Sequence, residues 1–204
     1  MIKKAKYIFI LISLLFFFIF ISISSYAHTV SENLSDNFFR LHILANSNSE
    51  LDQKLKLKVR DAIIEYMKEQ DLSGLSKLEV INLVKSNLDS YEKIVQNVIK
   101  ENDLNYPVYL EVDKFYFPTK IYGNISLPSG TYDALKISIG DSNGENWWCS
   151  LFPPLCFVDI SSGVIDESSK DHLKQNLSDE EFAIITKNNG TIKLKFKLLE
   201  IFSN

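Results

Sequence analysis

The sequence predicts an α+β fold: two amphipathic helices forming an αα-hairpin, packed on a mostly antiparallel β-sheet in a single domain. Three observations lead there. Between residues 51 and 98 apolar side chains recur every three or four positions, the helical period. From residue 106 onward they recur every second position, the strand period. A hydrophobic fraction of 46% with only 7 Gly and 5 Pro in 204 residues fits an ordinary globular chain with a real core. Helices followed by strands, rather than alternating with them, give α+β.

The elements follow in order. Met1–Tyr7 carries three lysines, and Ile8–Ile23 is apolar apart from Ser13 and Ser22. Ser25-Tyr26-Ala27 then sets small residues at −3 and −1 of a cut between Ala27 and His28. This is the layout of a secretory signal peptide. The same run kept in place would be an N-terminal membrane anchor, so residues 1–27 are a signal peptide or an anchor. Either way the lysines stay in the cytoplasm and the remainder crosses. Residues 28–37 are polar and aperiodic and read as a flexible linker to a single extracytoplasmic domain over 38–204.

Phe39–Ile43 alternates apolar and polar, as in a strand with one buried face. Ser47 with Glu50 forms a capping box, so a helix is expected from Glu50, with Leu51, Leu55, Val59, Ile63 and Met67 on its apolar side. Ser76 with Glu79 caps a second helix carrying Ile81, Val84, Leu88, Tyr91, Val95 and Val98. Strands are expected over Tyr106–Phe117, Asp133–Ile139 and Asn146–Phe152, the last two joined as a hairpin through Asn143-Gly144. Short helices are expected within Asp166–Thr186, with a cap at Ser178 and Glu181, and an amphipathic strand over Thr191–Phe202.

Composition narrows the function. Beyond residue 27, 19 basic residues face 26 acidic ones, and the chain has two arginines, Arg40 and Arg60. A nucleic-acid binder would show a basic face. His28, His42 and His172 have no metal-ligand spacing, so neither a metal site nor a cofactor is expected. No small-molecule substrate is implied.

The unusual stretch is Trp147 to Cys156. Adjacent tryptophans in a strand point to opposite faces. A one-sided sheet buries only one, leaving the other for a partner; a two-sided sheet buries both. Trp147, Trp148, Phe152, Pro153, Pro154 and Leu155 therefore form the candidate partner-contact surface. Cys149 and Cys156 form a local disulfide in an oxidising compartment or remain two buried thiols. We expect the bridge. A secreted thiol hydrolase using Cys149 is the enzyme alternative, although its apolar setting offers nothing to lower a thiol pKa. A membrane-anchored envelope protein is the structural one. Arg40, His42 and Asn46 lie close enough to form a polar site or a hydrogen-bonded structural cluster.

Two signatures resemble a known family. The first is Phe39-Arg40-Leu41-His42-Ile43-Leu44-Ala45-Asn46-Ser47, with Asp52-Gln53 and Leu55-Lys56-Leu57-Lys58-Val59-Arg60-Asp61. The second runs from Leu127-Pro128-Ser129-Gly130 through Ile139-Gly140 into Asn146-Trp147-Trp148-Cys149 and Leu151-Phe152-Pro153-Pro154-Leu155-Cys156. Together they resemble the stage II sporulation protein R family over residues 36–160. Asn48 and the turn Ser142–Glu145 depart from its pattern. The motif's polar residues are Arg40, His42, Asn46, Ser47, Arg60 and Asp61. The resemblance implies a protein made in the forespore of an endospore-forming bacterium and exported into the intermembrane space. There it would activate a membrane-embedded aspartic protease that processes pro-sigma-E, acting as a signal rather than an enzyme.

Overall fold

A computed structural model describes residues 2–70, 72, 74–156 and 167–186. The strand expected over Thr191–Phe202 lies outside these. Helix α1 spans Ile2–Asp36. Among the described residues it is the helix long and apolar enough to cross a membrane, with a mean hydropathy of 2.7 in its apolar window and none of that window buried. The expected linker is corrected here: up to Asp36 it is helical. Val30 and Leu34, four residues apart and so on one helix face, dock into the domain, with Leu34 buried. Two apolar residues are too few to register as a period, yet they suffice to dock a helix already begun upstream. The Ala27–His28 junction lies within the helix.

Strand β1 is Phe39–Leu44 and α2 is Glu50–Glu69. The helix is capped by Ser49, whose Oγ accepts from the Asp52 backbone N–H at 3.2 Å, and not by Ser47. Ser47 instead donates its hydroxyl to the Asp52 carboxylate at 2.5 Å. Leu55, Val59, Ile63 and Met67 are buried, whereas Leu51, in the first turn, is exposed. The second expected helix is two: α3, Lys77–Ser86, and α4, Leu88–Glu101. The Ser76–Glu79 capping box starts α3 as expected. Asn87 divides them. Its backbone N–H reaches the Leu83 and Val84 carbonyls, and its amide side chain also donates to Leu83. Such local side-chain bonding competes with a continuous helix.

The strands β2 (Val108–Phe117), β5 (Gly130–Ile139) and β6 (Asn146–Phe152) join β1 in one sheet of order β2-β5-β1-β6. Strand β1 runs parallel to β5 and antiparallel to β6, and β2 is antiparallel to β5. Because β1 lies between β5 and β6, Gly140–Glu145 is not the expected hairpin. It crosses the end of β1, where Leu44 faces Ser138 on one side and Asn146 on the other. The Gly123–Gly130 region holds a small hairpin of β3 (Lys120–Tyr122) and β4 (Ile125–Leu127).

Strand β1 is buried on both faces, whereas the outer strand β2 leaves Tyr109, Glu111 and Asp113 exposed. On one face Phe39, Leu41, Ile43, Leu135, Ile137 and Ile139 meet apolar residues of α2, α3 and α4. On the other, the end of α1, the β3–β4 hairpin and the helices α5 (Glu167–Asn176) and α6 (Asp179–Thr186) enclose Phe117, Tyr132 and Ala134. The Ser178–Glu181 cap is present at the start of α6. The alternation in β1 thus marks two cores of different character, not one core and one solvent face.

Candidate functional site

Strand β6 places its adjacent tryptophans in these two cores. Trp147 packs against the helix-side core and Trp148 against the other, each half-buried. The Arg60 guanidinium lies 4.3 Å above the Trp147 ring and pairs with Asp61 at 2.6 Å. A cation over an indole face is attracted by the ring quadrupole and stiffens the pair. The Trp147 indole N–H has no hydrogen-bond partner. Trp148 stacks on His42 with ring centroids 3.6 Å apart and meets Phe117 edge-on at 4.7 Å. The candidate contact surface is therefore narrower than expected. Phe152, Pro153 and Leu155 are buried, because the turn after β6 folds back into the domain, while Pro154 is half-buried.

Arg40 and His42 share a face, as the strand period requires, but that face is the second core. Arg40 is fully buried. Its guanidinium lies 4.2 Å from the Phe117 ring and 4.9 Å from Tyr132. It donates to the Tyr122 hydroxyl at 2.6 Å and to the Cys149 carbonyl at 3.3 Å, and Nη1 is unpartnered. Burial pushes its pKa down, opposed by Tyr122 and Tyr132. His42 donates from Nε2 to the Asn146 side-chain oxygen at 2.7 Å, which leaves Nδ1 as a buried, unpartnered acceptor. Burial lowers its pKa to about 4, with Lys136 acting in the same direction and the Asn146 bond opposing. The ring is thus neutral at pH 7. The sequence did not reveal the aromatic partners Phe117, Tyr122 and Tyr132, which arrive from β2, a distant hairpin and β5.

Asn46 and Ser47 build a third place, the junction between β1, α2 and the crossover. Asn46 donates to the Asp52 carboxylate at 2.9 Å and accepts from the Asp141 backbone N–H at 2.9 Å. The Asn143 and Gly144 N–H groups reach the Asn46 and Ala45 carbonyls. Lys56 donates to the Glu145 carbonyl at 2.8 Å, and Gln53 to the Ser47 carbonyl at 2.9 Å. A Cβ on Gly140, whose φ is +57°, would stand 2.1 Å from Asn46 Oδ1, and one on Gly144 would stand 2.3 Å from the Ser47 carbonyl oxygen. Burial opposes the charge on Asp52, but hydrogen bonds from Ser47, Asn46, Tyr106 and Ser49 together hold its carboxyl below the ordinary range. The expected polar cluster is therefore not one site. Arg40 and His42 line a core, Asn46 and Ser47 lock a loop, and Arg60 and Asp61 sit beside Trp147.

Cys149 and Cys156 are joined by a disulfide with Cα atoms 5.2 Å apart. A thiol-hydrolase reading thus has no free thiolate at Cys149 to use. Among the described residues no three His, Cys, Asp or Glu side chains gather as metal ligands. A polar groove of about 640 Å³ runs between α1 and the β2–β5 edge, lined by Glu32, Asp36, Lys114 and Tyr116 among others. None of its lining residues comes from β6.

These features define a class: an α+β domain on an apolar N-terminal helix, whose unusual residues stack, bridge and lock its interior. The chain belongs to the stage II sporulation protein R family, whose description matches residues 35–162. Over 140 residues it is 38% identical to Stage II sporulation protein R of Bacillus subtilis (strain 168). That match covers 68% of this chain and 62% of the relative, less than two thirds of the relative's length. No solved structure matches.

Proposed function

We propose that this chain is an exported forespore-to-mother-cell signal that activates a membrane-embedded aspartic protease and so triggers removal of the pro-sequence from sigma-E. The observation that carries the reading is the family match over residues 35–162, which contains the whole tryptophan–cysteine–diproline block. The apolar helix α1 supports export or anchoring outside the cytoplasm. The chain acts by binding, not by chemistry. Trp147, braced by Arg60 at the sheet edge, is the contact residue we favour, since a stiff aromatic loses little conformational entropy on docking. An activator need only bind the active receptor better than the inactive one, and a differential of about 3 kcal/mol shifts that equilibrium more than 100-fold.

Deleting the gene should block sigma-E processing during sporulation; unchanged processing in the deletion strain refutes the reading. At residue level, Trp147→Ala should stay folded yet fail to activate receptor-containing membranes. Trp148→Ala removes a stack on His42 and an edge contact with Phe117, and should lose roughly 3 kcal/mol of stability. A folded, fully active Trp147→Ala protein would move the contact surface elsewhere.

A further inference from the structure

The turn after β6 belongs to both cores at once. Cys149, 1% exposed, faces the helix-side core with Phe152, and Cys156 packs partly against the same core. Leu155, also 1% exposed, enters the opposite one. The Leu155 and Cys156 N–H groups both reach the Ser150 carbonyl at 3.1 Å. The disulfide closes this turn directly beside the two tryptophans. The same stretch of backbone satisfies the least compensated group in the interior. Arg40 donates to the Cys149 carbonyl, the Tyr122 hydroxyl that receives Arg40 donates on to the Trp148 carbonyl at 3.1 Å, and Nη1 has no partner. Among the described residues no carboxylate pairs with this cation. A buried cation held only by neutral groups favours any opening that admits water. The bridge closes the turn that begins at Cys149, whose carbonyl receives Arg40.

We propose that the Cys149–Cys156 disulfide is a compartment-sensitive switch: the tryptophan strand becomes competent for contact only once the two thiols are oxidised outside the reducing cytoplasm. This rests on the activator reading above and adds the condition under which it operates. The step is thiol–disulfide exchange with an extracytoplasmic oxidant that itself carries a disulfide. The Sγ–Sγ bond of Cys149 and Cys156 forms, the oxidant's S–S bond breaks, and two electrons and two protons pass to it as a dithiol. In the reduced chain the turn 150–156 is released and Arg40 gains water. The contacts of α2 with α4 and β1, and of α4 with β2, do not pass through the bridge and persist.

The test uses the full chain, as oxidised wild type, as reduced and thiol-blocked wild type, and as the Cys149→Ser/Cys156→Ser variant without reductant. Hydrogen exchange reads the segments, and sigma-factor processing by receptor-containing membranes reads activity. The reduced protein and the variant should keep protection in α2 and β5, lose it over 147–156, and activate at least tenfold less. Reoxidation of wild type left unblocked should restore activity, and the same treatment of the variant should not. Reduced protein and variant active within twofold of the oxidised form would overturn the switch and leave the activator reading standing. Unfolding throughout on reduction would overturn it equally, making the bridge a general staple. Failure of the oxidised protein itself to activate would sink the activator reading, and the switch with it.

Discussion

Acidification should weaken this protein through His42. The imidazole is buried, stacked on Trp148 and bonded through Nε2–H to Asn146, and its pKa is lowered to about 4. An unfolded histidine titrates near 6.5. Between those values the unfolded chain binds a proton that the folded chain refuses, so stability is complete above about pH 6.5 and falls as pH drops toward 4. The slope approaches 1.4 kcal/mol per pH unit, and the loss between pH 7.5 and pH 5 is about 2 kcal/mol. Urea denaturation across that range measures it. His42→Phe keeps an aromatic ring beside Trp148 and does not titrate, so it should start less stable yet lose about 2 kcal/mol less on acidification. Parallel curves for wild type and variant would refute the reasoning, because the pH dependence would then belong to other groups.

Three further outcomes follow from the interior. Arg40→Met, which fills the cage without an unpaired donor, should leave stability within about 1 kcal/mol of wild type or above it, whereas Arg40→Ala should cost about 3 kcal/mol through the cavity, both read by urea titration. Asp52, held below its ordinary range, contributes stability that is present above its unfolded pKa of about 3.9 and lost as pH falls through the folded value; Asp52→Asn should abolish that low-pH segment of the curve. Gly140→Ala should be costly in wild type, where its Cβ meets the Asn46 side chain down to its own Cβ, but should cost only the left-handed backbone term of about 1–2 kcal/mol in an Asn46→Gly background, so that the double-mutant cycle is non-additive.

Period and capping carried the fold class because they are local. Apolar spacing of three and four made α2, and Ser76 with Glu79 started α3, in both cases without reference to distant residues. What local pattern could not supply was pairing. Asn143-Gly144 satisfied every requirement of a hairpin turn, yet β6 found its partner in β1, a hundred residues earlier. The bound on the second helix failed for a similar reason: an unbroken apolar period hides an asparagine whose side chain bonds back to Leu83. The docking of Val30 and Leu34 was invisible because their surface is built by residues from the far end of the domain.

The candidate site divides along the same line. Polar residues in a signature suggest contact or catalysis, but here most are consumed by folding. Arg40 and His42 turn the polar face of β1 into an aromatic core, and Asn46, Ser47 and Asp52 tie the start of α2 to a crossover that must pass tightly over β1. The two signatures are distant in sequence because they are the two sides of that junction, which requires glycine where the chains approach to within 2.1 Å of a would-be side chain. Subtracting the residues that fill the second core or lock the junction leaves Arg60, Asp61 and Trp147, of which Trp147 also packs partly against the helix-side core. These are the motif residues whose contacts with one another lie at the surface, with Asp61 63% exposed and no core depending on its charge. A structural requirement explains the others without a partner. The Arg60 guanidinium held over the Trp147 indole at the sheet edge is the feature on which the proposed contact with a partner rests.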